Sequence, residues 1–283
     1  MCTVYIYKTD ASMSEDDMIR ETERLMPLLP AWRRQKLDSI THTRARYESA
    51  VAGVLYKYAM REYRAADLSV EVGPIGKPEH IGGVPYFSIS HSGEYVAIAV
   101  AESRVGLDIE CKGDAGCRVT DRMFTEREKL YVHGELKCSE KHNTASTEDK
   151  KTTDNTDESG ILGETSDMRF RDVWTAKEAY LKCIGCGISV PLSSFEVRGG
   201  YIQQQEQSEG SDNTPEGPVA GGKESVGEAA KEGRTDGISV YHIWTDRLDD
   251  DRYSITVCME EDISKEIKVD IKYVLDIDRL KCL

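Results

Sequence analysis

Two tracts of this chain cannot build a core, and they set how much of it can fold. Residues 138–168 and 204–237 each carry eight acidic and three basic residues. Both are rich in Ser, Thr, Glu, Gly and Asn and nearly free of aromatic and β-branched aliphatic side chains. Neither can bury enough apolar surface to offset the entropy of ordering it, so both are expected to be disordered insertions acting as solvated spacers. Setting those 65 residues aside leaves 218 of 283, a length that buries a full core without staples. The tracts also hold −10 of the net charge of −14, so the remainder is only mildly acidic at −4.

That charge argues against a nucleic-acid binder working through bulk positive potential. No apolar run approaches the roughly 20 residues of a spanning helix, and the mean hydropathy is −0.51. The opening MCTVYIYKTD lacks the basic and long apolar regions of a signal peptide. The expectation is a soluble cytoplasmic protein, free of membrane, whose eight cysteines are reduced thiols.

Apolar spacing predicts helices over 14–27, 43–64, 119–133 and 169–184; in the second, Tyr47, Val51, Val54, Leu55 and Tyr58 recur every three or four residues. Short β-rich runs at 84–91, 95–101 and 104–110, split by Ser92-Gly93-Glu94 and Glu102-Ser103, read as an antiparallel meander. Further strands are expected at 194–203, 238–245, 252–259 and 267–274. No glycine-rich phosphate loop joins a strand to a helix, which argues against nucleotide-binding doubly wound folds. The class is α+β.

Chemistry concentrates in four places. In Val105-Gly106-Leu107-Asp108-Ile109-Glu110, strand alternation puts Val105, Leu107 and Ile109 on one face and the carboxylates of Asp108 and Glu110 on the other. Two such groups aimed at one spot suit a hard divalent cation such as Mg²⁺, although the bland alternative is two solvated acids on an edge strand. In the helical run from Trp174 to Lys182, Trp174, Glu178 and Lys182 line one stripe, with Glu178 and Lys182 spaced to pair. The run Phe87-Ser88-Ile89-Ser90-His91-Ser92-Gly93 ends a strand in hydroxyls and an imidazole, donors able to cradle phosphate oxygens. Gly76-Lys77-Pro78 on its own is a turn.

The order of these motifs, with Phe124-Thr125-Glu126-Arg127-Glu128 between the third and fourth in sequence and Pro191-Leu192-Ser193-Ser194-Phe195 after them, resembles the 4′-phosphopantetheinyl transferase superfamily, of the type that activates surfactin synthetase. The resemblance implies a pseudo-twofold monomer of two similar halves, 1–103 and 104–283, each an antiparallel sheet packed with a helix, the active site lying in the cleft between them. It implies transfer of the phosphopantetheine arm of coenzyme A, the substrate, to a serine of an apo acyl or peptidyl carrier protein in fatty acid, polyketide or peptide synthesis, with release of 3′,5′-adenosine bisphosphate. Asp108, Glu110 and Glu178 would hold Mg²⁺, with Mn²⁺ as the other candidate, and Glu178 or a metal-bound water would take the serine proton. Lys182 and His91, with Ser90, would hold phosphate, Gly76, Lys77 and Pro78 would line the adenosine site, and Glu128 would be a further catalytic carboxylate at the cleft. Arg33, Arg34, Lys36, Arg44 and Arg46 are candidates as a group for the 3′-phosphate.

Ser88 stands where the family usually has Asn, and the 138–168 tract falls where related enzymes contact their carrier. Two other classes are weighed against this reading. A non-catalytic coenzyme A or carrier-binding protein would not need three carboxylates. A zinc site built on Cys183 and Cys186, with Cys111 and Cys117, lacks a second C-x₂-C pair.

Overall fold

A computed structural model describes residues 1–65, 68–113, 116–135, 165–204 and 239–275. Its first sheet contains β1 (Cys2–Lys8), β4 (Tyr86–Ser92), β5 (Tyr95–Ala101) and β11 (Val269–Tyr273), in the order β11-β1-β5-β4. The second contains β6 (Val105–Cys111), β7 (Phe195–Arg198), β8 (Tyr201–Gln204), β9 (Ser239–Leu248) and β10 (Tyr253–Asp262), in the order β6-β10-β9-β8-β7. A small hairpin joins β2 (Val70–Val72) to β3 (Pro78–His80). Six α-helices complete the described residues: α1 (Glu15–Leu25), α2 (Ala31–Leu37), α3 (Thr43–Glu62), α4 (Gly116–Met123), α5 (Glu126–His133) and α6 (Ser166–Ile184). The α+β class follows the sequence expectation.

Strand β5, Tyr-Val-Ala-Ile-Ala-Val-Ala, explains the layering. Its Val96, Ile98 and Val100 pack with Val51, Val54 and Leu55 of α3, while Ala97, Ala99 and Ala101 face the apolar side of β6 and β10. Bulky residues meet helices and small ones let the second sheet approach, so the strand is buried on both faces. On the far side of the second sheet, Ser254, Thr256 and Cys258 of β10 face α6: Ser254 donates to Asp172 (2.7 Å) and Thr256 meets Thr175 (2.8 Å). The layers therefore run helices, sheet, sheet, helix. Strand β1 pairs antiparallel with β5, and β6 with β10.

Several expectations need correction. The three-stranded meander is not formed: β4 and β5 pair, but β6 turns away to join β10, setting Leu107 opposite Val257 and Ile109 opposite Ile255. The strand expected at 194–203 is a hairpin, because Gly199 (φ 58°) and Gly200 (φ 81°) reverse the chain between β7 and β8. The helix expected at 119–133 is two, since Thr125 starts α5 with a capping box to Glu128. Thr165 likewise caps α6, so residues 165–168, assigned to the first acidic tract, begin a helix, and Gln204 closes β8. The rest of both tracts, 138–164 and 205–237, lies outside the described residues. Among those described, no helix is long and apolar enough to cross a membrane.

Candidate active site

Gly106 lets the site assemble. It sits on the face of β6 that receives α6, where the helix backbone passes so close that an added Cβ would overlap the Ala179 carbonyl oxygen and stand 2.5 Å from the Cys183 nitrogen. One pleat further along the same face comes Asp108, then Glu110, and the α6 stripe of Trp174, Glu178 and Lys182 lies against them. These five side chains, with Ile89, Ser90 and His91 of β4, line a pocket of about 350 Å³.

Asp108 is 3 % exposed. Its Oδ1 accepts from Lys182 Nζ (2.6 Å) and Ser90 Oγ (2.8 Å), while its buried Oδ2 has no hydrogen-bond partner. The Glu178–Lys182 pair expected from helical spacing is replaced by this longer-range one. Glu110 accepts from Ser92 Oγ (3.1 Å), and the Trp174 indole beside it favours its charged form. Trp174 is held by stacking on Phe170 (6.1 Å), which stacks on Phe124 (5.4 Å). Burial, and then the neighbouring Asp108 charge, push the Glu110 and Glu178 carboxyls above the usual range, only partly offset by Lys182.

A hard cation fits this chemistry: the donors are all oxygen, their charges are undercompensated, and one buried carboxylate oxygen is unpartnered. The three carboxylates are brought to one pocket without forming a ready coordination sphere. Among the described residues no three His, Cys, Asp or Glu side chains are arranged to hold a metal. The Lys182 ammonium occupies one side of Asp108, and Glu110 is tied to Ser92. Zinc gains no support either, since Cys183 lies in the core against Cys258; the side chain of Cys117 is outside the described residues.

Of the basic side chains only Lys182 and His91 line the pocket; Arg33, Lys36 and Arg44 lie on α2 and α3 outside its lining. His91 Nδ1 is 3.2 Å from Glu48, which also faces Arg44 at 3.6 Å, and a buried Arg44 Nη1 lacks a partner. Arg33 is buried, bonded only through Nη1 to Ser49 (3.3 Å), and desolvation lowers its guanidinium to about 10. Lys36 is lowered by desolvation and then by the charges of Arg33 and Lys182. Arg46 serves the fold instead, donating to the carbonyls of Leu37 and Ile40 that link α2 to α3. Arg34 is exposed on α2.

Two motifs land beside the pocket rather than in it. Gly76 (φ 83°) and Lys77 form the turn of the β2–β3 hairpin and Pro78 opens β3; Lys77 reaches the Cys183 carbonyl (3.3 Å) at the end of α6 and pairs with Glu79 (2.9 Å). Glu128, expected at the cleft, is 3 % exposed and absent from the pocket lining. It caps α5 through the Thr125 N–H (2.8 Å), accepts from the Val197 N–H (2.9 Å) and pairs with the wholly buried Lys177 (2.8 Å). Lys177 also donates to the carbonyls of Leu192 and Phe195. Burial raises the Glu128 carboxyl, while Lys177 and the two backbone donors pull it back. The pair ties α5, α6 and β7 together directly behind Glu178. Sequence reasoning missed Lys177 and Glu48, and no spacing signal singled them out.

Residues 104–215 match the model of the 4′-phosphopantetheinyl transferase superfamily. Over this segment the chain is similar to that superfamily. The matched segment contains Asp108, Glu110, Glu178 and Lys182. The 4′-phosphopantetheinyl transferase ffp of Bacillus subtilis is 28% identical over 200 residues, covering 69% of this chain and 75% of the relative. The transferase Sfp of Bacillus subtilis (strain 168) is 26% identical over the same shares, and gsp of Aneurinibacillus migulanus is 27% identical over 42% of this chain and 39% of its own. Each of these relatives is matched over only part of this chain, so the pocket's residues, rather than overall identity, carry the functional argument.

Proposed function

We propose that the pocket moves the 4′-phosphopantetheine arm of coenzyme A onto a serine of an apo acyl or peptidyl carrier protein and releases 3′,5′-adenosine bisphosphate. The observation that carries this is the meeting, in one pocket, of three carboxylates with the basic side chains of Lys182 and His91: the carboxylates suit a divalent ion and the two bases suit phosphate oxygens. Mg²⁺ held by Asp108, Glu110 and Glu178 would supply charge stabilisation to the pyrophosphate during transfer. His91 and Lys182 hold phosphate oxygens, and Arg33, Lys36 and Arg44 attract the 3′-phosphate. Gly76, Lys77 and Pro78, at the end of α6, flank the adenosine. As the serine hydroxyl attacks the β-phosphorus, Glu178 or a metal-bound water would take its proton. Glu128 and Lys177 fix the α6 segment that carries Glu178.

The reading includes two halves, 1–103 and 104–283, acting as a monomer in the cytoplasm. All five cysteines characterised among the described residues are free thiols, which supports a reducing setting.

The test is incubation with coenzyme A, Mg²⁺ and a panel of apo carriers, read by intact mass. One carrier is expected to gain one phosphopantetheine, and the gain should vanish with EDTA and return with Mg²⁺. No gain on any fatty acid, polyketide or peptide carrier would overturn the reading.

A further inference from the structure

Strands β4 and β6 are edge strands of different sheets, yet they are bonded along their length. The Leu107, Ile109 and Cys111 N–H groups on the open edge of β6 donate to the hydroxyls of Ser88 (3.0 Å), Ser90 (3.4 Å) and Ser92 (3.0 Å). The register is constant, so three alternate side chains of β4 take the place of the carbonyls that a neighbouring strand would present. A carbonyl can only accept. A hydroxyl that accepts still has a proton to give, and two of the three give it to the pocket: Ser90 to Asp108 Oδ1 (2.8 Å) and Ser92 to Glu110 Oε2 (3.1 Å). The residue at the equivalent place on the first rung is Gly106, which has no side chain to receive a proton.

From this we infer that Ser90 and Ser92 are positioning residues: each fastens the seam between the two sheets with one lone pair and aims a pocket carboxylate with its proton, whereas Ser88 fastens the seam alone. The inference rests on the transferase reading for its kinetic consequence and on geometry for its structural one. Ser90 is thereby committed to Asp108 and to Lys182 Nζ (3.0 Å) rather than free for a phosphate. Any slip of one sheet along the other would turn both carboxylates together.

The ladder contains its own control. Ser88→Ala, Ser90→Ala and Ser92→Ala each strand one N–H and should lower the melting temperature. Only the last two should lower kcat, by roughly 10–100-fold as for partners that orient metal-ligating groups, with KM for coenzyme A within about threefold. Ser92→Thr, which keeps the hydroxyl, should restore kcat. Equal kcat losses in all three alanine variants would reduce the ladder to a seam. A large rise in KM with kcat kept would make Ser90 and Ser92 substrate contacts instead; either result overturns the inference. A measurement independent of turnover is the melting shift of Ser92→Ala combined with Glu110→Gln, expected to be non-additive, against Ser88→Ala combined with Glu110→Gln, expected to be additive. If the wild type transfers nothing, the functional reading fails while this cycle still decides the ladder, and additivity in both pairs would sink it.

Discussion

Gly106→Ala is expected to leave a protein that melts far below wild type and transfers nothing. The new methyl would meet main chain, the Ala179 carbonyl and the Cys183 nitrogen at 2.5 Å, and neither can rotate away as a side-chain tip would. Overpacking ordinarily costs about 1–3 kcal/mol; with backbone on both sides of the clash, relief requires α6 to lift from β6. That movement carries Glu178 and Lys182 with it, since each directly precedes one of the two clashing residues, and breaks the 2.6 Å contact between Lys182 and Asp108. Gly113→Ala is the matched control, because a Cβ there meets nothing nearer than the Cys111 carbonyl at 3.9 Å. Thermal melts and coenzyme A calorimetry on both variants decide the matter. A Gly106→Ala protein with wild-type melting would mean that α6 does not press on β6 as described.

Asp108→Ala should do the opposite to stability and the same to activity. The carboxylate is buried with one oxygen unpartnered, an arrangement that burdens the fold at about 1–3 kcal/mol for an unsatisfied group. Its methyl replacement should hold the melting temperature level or raise it, while transfer falls by roughly 10³-fold through lost electrostatic stabilisation. Lys182 is 32 % exposed at its side chain and can return to water when its partner is removed. Glu110→Ala should lose transfer likewise. Rates near wild type in either variant would remove the assignment of these carboxylates to one metal site. A steep drop in melting would instead show that Asp108 is retained for the fold.

Much of the site was legible because period alone fixes faces. The two-residue period separated Asp108 and Glu110 from Val105, Leu107 and Ile109, and the four-residue period lined up Trp174, Glu178 and Lys182. What period cannot supply is the partner. Lys182 was read with Glu178 because they are neighbours on a helix, yet a buried carboxylate on another element offers a stronger, less solvated contact. Glu128 was placed at the cleft from resemblance alone; that it closes its own helix cap and neutralises Lys177 depends on three elements meeting. The alternation of serines at 88, 90 and 92 was visible, but its meaning required knowing that β4 and β6 are both edges. The meander failed for the same reason: a short turn permits pairing without compelling it, and Leu107 and Ile109 found Val257 and Ile255 across nearly 150 residues. The capping box at Thr125 was hidden inside one continuous helical pattern, and that at Thr165 inside a segment judged by composition.

The parallel pairing of β11 with β1, from Cys2 opposite Val269 to Ile6 opposite Tyr273, bears on how the chain is born. By the time Ala101 has left the ribosome, β1, β4 and β5 can associate, with helices on one side. The other flank of β1 must wait for Tyr273, a delay of roughly 10–35 s at ordinary elongation rates of about 5–20 residues per second. Through that interval β1 presents unpaired amides beside Val4 and Ile6, a template open to any extended peptide nearby. Its β6-facing side also lacks β10 until residue 262 emerges. The first sheet to form is therefore among the last to be sealed, and nascent chains of this protein are exposed to mispairing for most of their synthesis, whatever the stability of the finished fold.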